Sequence, residues 1–152
     1  MVKLKTICIF LMLAVFISGI TFSIARTSLE QDYSLICTTD QLSNYIENMN
    51  PHQVFVDVRS QEDYEKGHID GFINIPSENG DEVLNYLRDH NITKKHIYLM
   101  CYSGKRAAIT FELLRTNGFR YLSYIVFGYD TYVAEQEGFE PKVGPCNCLA
   151  DD

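Results

Sequence analysis

At 152 residues the chain has room for one ordinary domain with a real core, since 46% of its residues are hydrophobic and 22% charged. Its 13 basic and 20 acidic residues give a formal charge of −7; the first 25 residues carry only Lys3 and Lys5, so the remainder stands at 11 against 20, or −9. That balance argues against nucleic acid and anionic membrane as main partners, and no internal repeat or low-complexity tract is visible.

The chain opens with the pattern of a secretory signal peptide. Lys3 and Lys5 form a basic start, Ile7 to Ile20 is apolar apart from Ser18, and Ser23 and Ala25 put small residues at the −3 and −1 positions of a cut after Ala25. Thr6 to Ala25 is also just long enough to span a bilayer as an uncleaved anchor, although Gly19, Thr21 and Ser23 suit a cleavage region better. Cys8 stands at the start of the apolar run and not after it, which rules out a lipoprotein reading. The expected organisation is a signal segment over 1–25, a polar linker over 26–32, a domain over 33–141 and a cysteine-containing tail over 142–152. In either version the domain works outside the cytoplasm, in a periplasmic or extracellular setting.

Tyr33 to Cys37 reads as a short first strand. Thr38-Thr39-Asp40-Gln41 opens a helix with good capping chemistry, whose buried face carries Leu42, Tyr45, Ile46 and Met49 and which ends at Asn50-Pro51. Val54 to Val58 is a compact apolar strand, Gln61 to Lys66 a short helix stopped by Gly67, and Ile69 to Ile75 a strand closed by Pro76. Glu82 to His90 is a helix, His96 to Met100 a strand and Ala107 to Asn117 a helix. Ser123 to Phe127 is a last strand, and Tyr129 to Glu137 a last helix ended by Gly138. Strands that alternate with helices and are apolar on both faces imply an α/β fold: a mostly parallel central sheet in three layers, with helices on both faces. Sites in such sheets lie beyond the carboxyl ends of the strands, where Asp57 and Cys101 both fall.

The run Cys101-Tyr102-Ser103-Gly104-Lys105-Arg106-Ala107 is the candidate site. A cysteine ending a strand and facing the start of the next helix meets backbone N–H groups that have no intrahelical partner, and the helix dipole adds to them. Such surroundings favour the thiolate and make Cys101 a candidate nucleophile.

Four ordered segments are similar to the single-domain rhodaneses, sulfurtransferases that carry sulfane sulfur as a cysteine persulfide. They are Phe55-Val56-Asp57-Val58-Arg59, the stretch Glu65 to Pro76 with Gly67-His68-Ile69 and Asn74-Ile75-Pro76, the loop Cys101 to Ala107, and Asn117-Gly118-Phe119 before the Tyr124-Ile125-Val126 strand. A signal segment ahead of one such domain resembles the exported members. The resemblance implies that Cys101 accepts sulfur from a small anionic donor such as thiosulfate or from a polysulfide. A thiol or cyanide would then remove it, and no cofactor or metal is implied. The N–H groups of residues 102–106 would stabilise the persulfide anion, Gly104 would take a backbone angle closed to other residues, and Ser103 could donate to the sulfur. Lys105 and Arg106 would attract the donor, with Arg106 tied into the loop. Only four residues separate Cys101 from Arg106, one fewer than in the related phosphatase and arsenate reductase loops, and the tighter ring suits a single sulfur. Where the family often has a Gly-Gly pair and a tryptophan, this chain has Phe127-Gly128, Tyr129 and Tyr132, and it has no tryptophan at all. A rival reading keeps the fold as a sulfur-binding or sensing module without turnover.

Asp57, Arg59, Glu65 and His68 are expected to be structural: Arg59 and Glu65 pair to fix the loop after the second strand, and His68 orients the turn at Gly67. Among the remaining thiols, either Cys146 or Cys148 could bridge to Cys37 in an oxidising compartment, or one tail cysteine could act as a relay thiol for Cys101.

Overall fold

The computed structural model describes residues 30–146, so the expected signal segment and cleavage site lie outside the described residues, as does Cys148. Five strands form one parallel sheet: β1 (Asp32–Ile36), β2 (Gln53–Asp57), β3 (Phe72–Asn74), β4 (His96–Met100) and β5 (Tyr121–Ile125), in the order β1-β5-β4-β2-β3. The helices are α1 (Thr39–Glu47), α2 (Gln61–Lys66), α3 (Asp81–Asp89), α4 (Lys105–Thr116) and α5 (Tyr129–Glu135).

The α/β expectation holds, with helices on both faces. One apolar cluster packs Val83, Leu84 and Leu87 of α3 and Ala107, Phe111 and Leu114 of α4 against Val56, Leu99 and Leu122 of the sheet. The other packs Leu42 of α1, Tyr64 of α2 and Tyr129 and Tyr132 of α5 against Phe55, Phe72, Tyr98 and Ile125. Alternation along β4 sends Ile97, Leu99 and Cys101 to the first cluster and Tyr98 and Met100 to the second. That is why the central strands are apolar on both sides.

Local chemistry accounts for the helix starts. Thr38 forms a capping box with Gln41, its hydroxyl accepting from the Gln41 N–H at 3.2 Å while the Gln41 side chain accepts from the Thr38 N–H. Ser60 caps α2 in the same way, accepting from the Asp63 N–H.

Several boundaries differ from expectation. β1 starts at Asp32, so the linker ends one residue early. β3 is only three residues long because the chain before it turns: His68 pairs antiparallel with Lys142, and Gly71 sits at φ +82°. β5 ends at Ile125 because Phe127 and Gly128 already lead back across the loop that follows β4. α5 stops at Glu135, and α3 starts at Asp81. α4 starts at Lys105, so Lys105 and Arg106 are its first two residues and not part of the loop. Cations there oppose the helix dipole.

Topology locates the functional end. From β2 the chain moves outward to β3, and from β4 it moves the other way to β5. The loops after β2 and β4 therefore diverge, with α2 and α4 on opposite faces, and a crevice opens between them.

Candidate active site

β2 and β4 pair in register, with Asp57 opposite Met100, and the Val58 N–H donates to the Met100 carbonyl at 2.9 Å. Val58 and Cys101 thus emerge side by side in the first apolar cluster, while Arg59 turns to the other face, under Tyr129. Cys101 is buried, and its carbonyl accepts from the Tyr129 N–H at 2.8 Å, which fastens the start of α5 to the end of β4.

Two glycines shape the loop between Cys101 and α4. Gly104 caps the helix at φ +80°, and a Cβ there would strike the Val126 carbonyl. Gly128, at φ +84°, lies so close under the Tyr102 carbonyl and the Ser103 nitrogen that no side chain fits. Among the backbone hydrogen bonds of the described residues, the amides of Tyr102, Ser103 and Gly104 donate to no carbonyl; the first to do so is Ala108, to Gly104 at 2.9 Å. Those of Lys105, Arg106 and Ala107 open the helix, where an α-helix leaves its N–H groups without acceptors. The result is a buried thiol at the base of a cup of uncommitted amides, an environment that accepts an anion.

Of the side chains expected here, Gly104 behaves as anticipated. Ser103 and Lys105 are exposed, and no hydrogen bond joins the Ser103 hydroxyl to the Cys101 sulfur. Arg106 is held from outside its own loop, donating through Nη1 to Glu78 Oε1 at 2.8 Å. Tyr102 leans over Arg59, whose guanidinium carbon is 5.3 Å from its ring centroid. Burial, with the nearby Asp63 carboxylate adding to it, pushes the Tyr102 hydroxyl up and keeps it protonated.

Arg59 is structural, as expected, but its partner is Asp57 and not Glu65. Its Nη2 and Nε donate to Asp57 Oδ2 at 2.7 and 2.9 Å, and its own N–H donates to Asp57 Oδ1 at 2.9 Å. Residues two apart at a strand end share a face, so this pair forms before any longer-range partner is needed. Nη2 also donates to the Gly67 carbonyl at 2.9 Å, and the Tyr129 ring covers the guanidinium at 3.7 Å. Both side chains are at most 1% exposed. Burial pushes the Asp57 carboxyl up against the pull of Arg59, whose own charge the carboxylate supports. Glu65 instead accepts from Gln61 at 2.7 Å. His68 does serve the Gly67 turn: its ring stacks on Tyr64, and its Nδ1 lies 3.0 Å from the Tyr64 carbonyl.

Of the two tail cysteines only Cys146 is among the described residues, and it is not placed for either of the expected roles. Cys146 Sγ lies 4.0 Å from the Phe72 carbonyl on edge strand β3, whereas exposed Cys37 follows β1 at the opposite edge. Four strand spacings separate those edges, about 19 Å, far beyond the roughly 7 Å between Cα atoms that a disulfide tolerates. Phe72 is likewise two strands and three residues from Cys101 by register, on the order of 14 Å, which removes Cys146 as a relay thiol at the site.

Sequence reasoning missed Glu78, which carried no signal; it singled out Phe127-Gly128 as a departure from the family pattern, but not the close approach of Gly128 to Tyr102.

A parallel sheet that presents a buried cysteine in a tight turn ahead of a helix defines a class of α/β proteins built around an anion-accepting thiol. Within that class the chain belongs to the rhodanese-like domain family, whose profile matches residues 38–135. A putative sulfur carrier protein of Bacillus subtilis is 30% identical over 82 residues, 54% of this chain and 42% of its own. A tRNA uridine(34) hydroxylase of Sodalis glossinidius is 32% identical over 108 residues, 68% of this chain and 30% of its own. The chain spans less than half the length of these curated relatives. A rhodanese-like domain protein of Staphylococcus aureus, 27% identical, superposes with a TM-score of 0.57 over 73% of this chain and 98% of the other. A single-domain sulfurtransferase of Saccharomyces cerevisiae, 22% identical, shares the fold at a TM-score of 0.57 over 72% and 93%. Family membership supports sulfurtransferase-type chemistry in general.

Proposed function

We propose that this protein moves sulfane sulfur through a persulfide on Cys101, taking it from thiosulfate or another sulfane donor and passing it to a thiol or cyanide. The supporting observation is the buried thiol at the base of a four-residue turn whose amides are uncommitted. In the first half-reaction the Cys101 thiolate attacks the outer sulfur of the donor. A new S–S bond forms as the old one breaks, and the leaving group, sulfite from thiosulfate, departs with the bonding pair. The amides of residues 102–106 then face the terminal sulfur and stabilise its negative charge without reorganising. In the second half-reaction the acceptor attacks that terminal sulfur and the Cys101 thiolate leaves. The likeness to a protein described as a sulfur carrier supports the same reading. Arg59 is a positioning residue, setting the loop through Tyr102 and Tyr129.

Export belongs to the proposal as well: the basic start, apolar run and small-residue cleavage pattern of residues 1–25 support a domain released or anchored outside the cytoplasm.

Incubating purified protein with thiosulfate and weighing it tests the chemistry. The expected result is a gain of one sulfur atom on Cys101 that cyanide removes as thiocyanate. No gain with thiosulfate and none with polysulfide would overturn it. Sequencing the amino terminus of exported protein tests the cut after Ala25, which an intact Met1 would refute.

A further inference from the structure

The contact between Arg106 and Glu78 does not follow from the needs of the scaffold. Glu78 lies in the loop from β3 to α3, and that loop is already anchored: the Ile75 and Ser77 amides donate to the Asp57 and Val58 carbonyls at 3.0 and 3.2 Å, and Ser77 Oγ accepts from the Gly80 N–H at 2.8 Å. The Glu78 side chain is 85% exposed and that of Arg106 is 21% exposed. A surface pair of this kind adds little to folding. Its effect falls on what approaches the cup.

Charge around the mouth is unevenly distributed. Arg59 is buried on Asp57, and Glu78 meets Arg106, which leaves exposed Lys105, at the start of α4, without an ion-pair partner among the described residues. Asp63 stands beside Tyr102, and its carboxyl is held low by the Ser60 hydroxyl. Asp130 opens α5, and Asp81 and Glu82 sit in the first turn of α3 at the same end of the sheet, while Lys66 is taken up by Glu62 and Asp63 at 2.8 and 3.8 Å. A dianion approaching the thiol therefore meets several carboxylates, and its strongest expected cationic partner is already engaged.

We propose that Glu78 is a specificity-determining residue: by occupying Arg106 it biases sulfur loading of Cys101 away from dianionic thiosulfate and toward persulfides, R–S–SH, whose carrier lacks negative charge near the sulfurs. This rests on the persulfide reading above. With such a donor the Cys101 thiolate attacks the terminal sulfur, the donor S–S bond breaks and the carrier leaves as its thiolate; the proton stays on the transferred sulfur or passes to water, and no external oxidant is consumed. Discrimination comes from disfavouring the wrong donor as much as from attracting the right one.

The test compares the full chain with Glu78→Gln and the charge-preserving Glu78→Asp, measuring the second-order rate of sulfur loading from thiosulfate and from cysteamine persulfide, a donor that carries a cation. Glu78→Gln is expected to raise the thiosulfate rate by about 3- to 10-fold at low ionic strength, with the gain shrinking as salt screens the field. The cysteamine persulfide rate should stay level or fall, and Glu78→Asp should behave as the unaltered protein does. Thermal melting should not change. A ratio of the two rates that stays constant within about twofold, or equal gains for both donors, overturns the proposal while the persulfide reading stands. Failure of both donors to load Cys101 overturns the persulfide reading and this inference together.

Discussion

The two loops that meet at the crevice are held in opposite ways. After β2, polar groups are satisfied within the chain: Asp57 accepts three donors of Arg59, and Arg59 reaches on to the Gly67 carbonyl. After β4, six consecutive amides donate to no backbone carbonyl, and the loop takes its shape from close approach at Gly104 and Gly128. A loop pinned by a buried ion pair has its main cation committed and unavailable to a ligand. A loop with free donors can bind but depends on its neighbours for its shape, and here the first loop steadies the second through Tyr102 and Tyr129.

The sharpest break of this contrast is Cys101→Ser. It should cut sulfur transfer by about three orders of magnitude or more, as loss of a nucleophile does, while the denaturation midpoint hardly moves. A variant that keeps full turnover would refute the assignment of the loop. Arg59→Met should do the reverse, lowering stability by about 3–5 kcal/mol because it leaves the Asp57 carboxylate buried without its partner. Urea unfolding measures this, and Asp57→Leu added to Arg59→Met should recover part of the loss. If Arg59→Met lowered turnover alone, the division between holding and binding would fail.

Gly128→Ala lies between the two. A methyl group at φ +84° against the Tyr102 carbonyl should cost roughly 1–3 kcal/mol of stability. It should lower turnover by more than that cost explains, because the carbonyl it displaces belongs to the cup. Comparing loading rates with unfolding midpoints checks the order of the two effects.

The smallest effect comes from the other end of the sheet and serves as a control. Burial holds His96 below the ordinary histidine range, against a weaker pull from Asp32, and its Nε2 sits 2.7 Å from the Ser123 hydroxyl. Because the folded-state pKa is depressed, the unfolded chain binds the proton first. Stability is therefore full above about pH 6.5 and falls as pH drops through the folded value. Denaturant titrations at pH 7.5 and below pH 6.5 should show the loss in the unaltered protein and a smaller one in His96→Gln, with the persulfide chemistry unaffected at neutral pH.

The legible parts of the molecule were those written in local pattern. The span Gln61 to Lys66 and the cap at Thr38 appear where periodicity and capping chemistry put them, and the strand expected over Val54 to Val58 runs one residue earlier, Gln53–Asp57. Arg59 was matched to Glu65, whereas the nearer partner is Asp57, two residues back on the same face of the strand end. Glu78 could not be read as part of the site, nor could the contact that Gly128 makes: one meets Arg106 and the other Tyr102, both more than 20 residues away, and only the topology brings them together. Termini near tight turns, such as the end of β5, shifted for the same reason.

The placement of Gly128 also bears on how this site can change over generations. The course of the main chain around the thiol is dictated by a turn that follows a different strand, not by the exposed side chains of residues 103 and 105. Those two positions are therefore free to mutate without reshaping the ring of amides, so that preference for one sulfur compound over another can drift while the transfer chemistry is inherited intact.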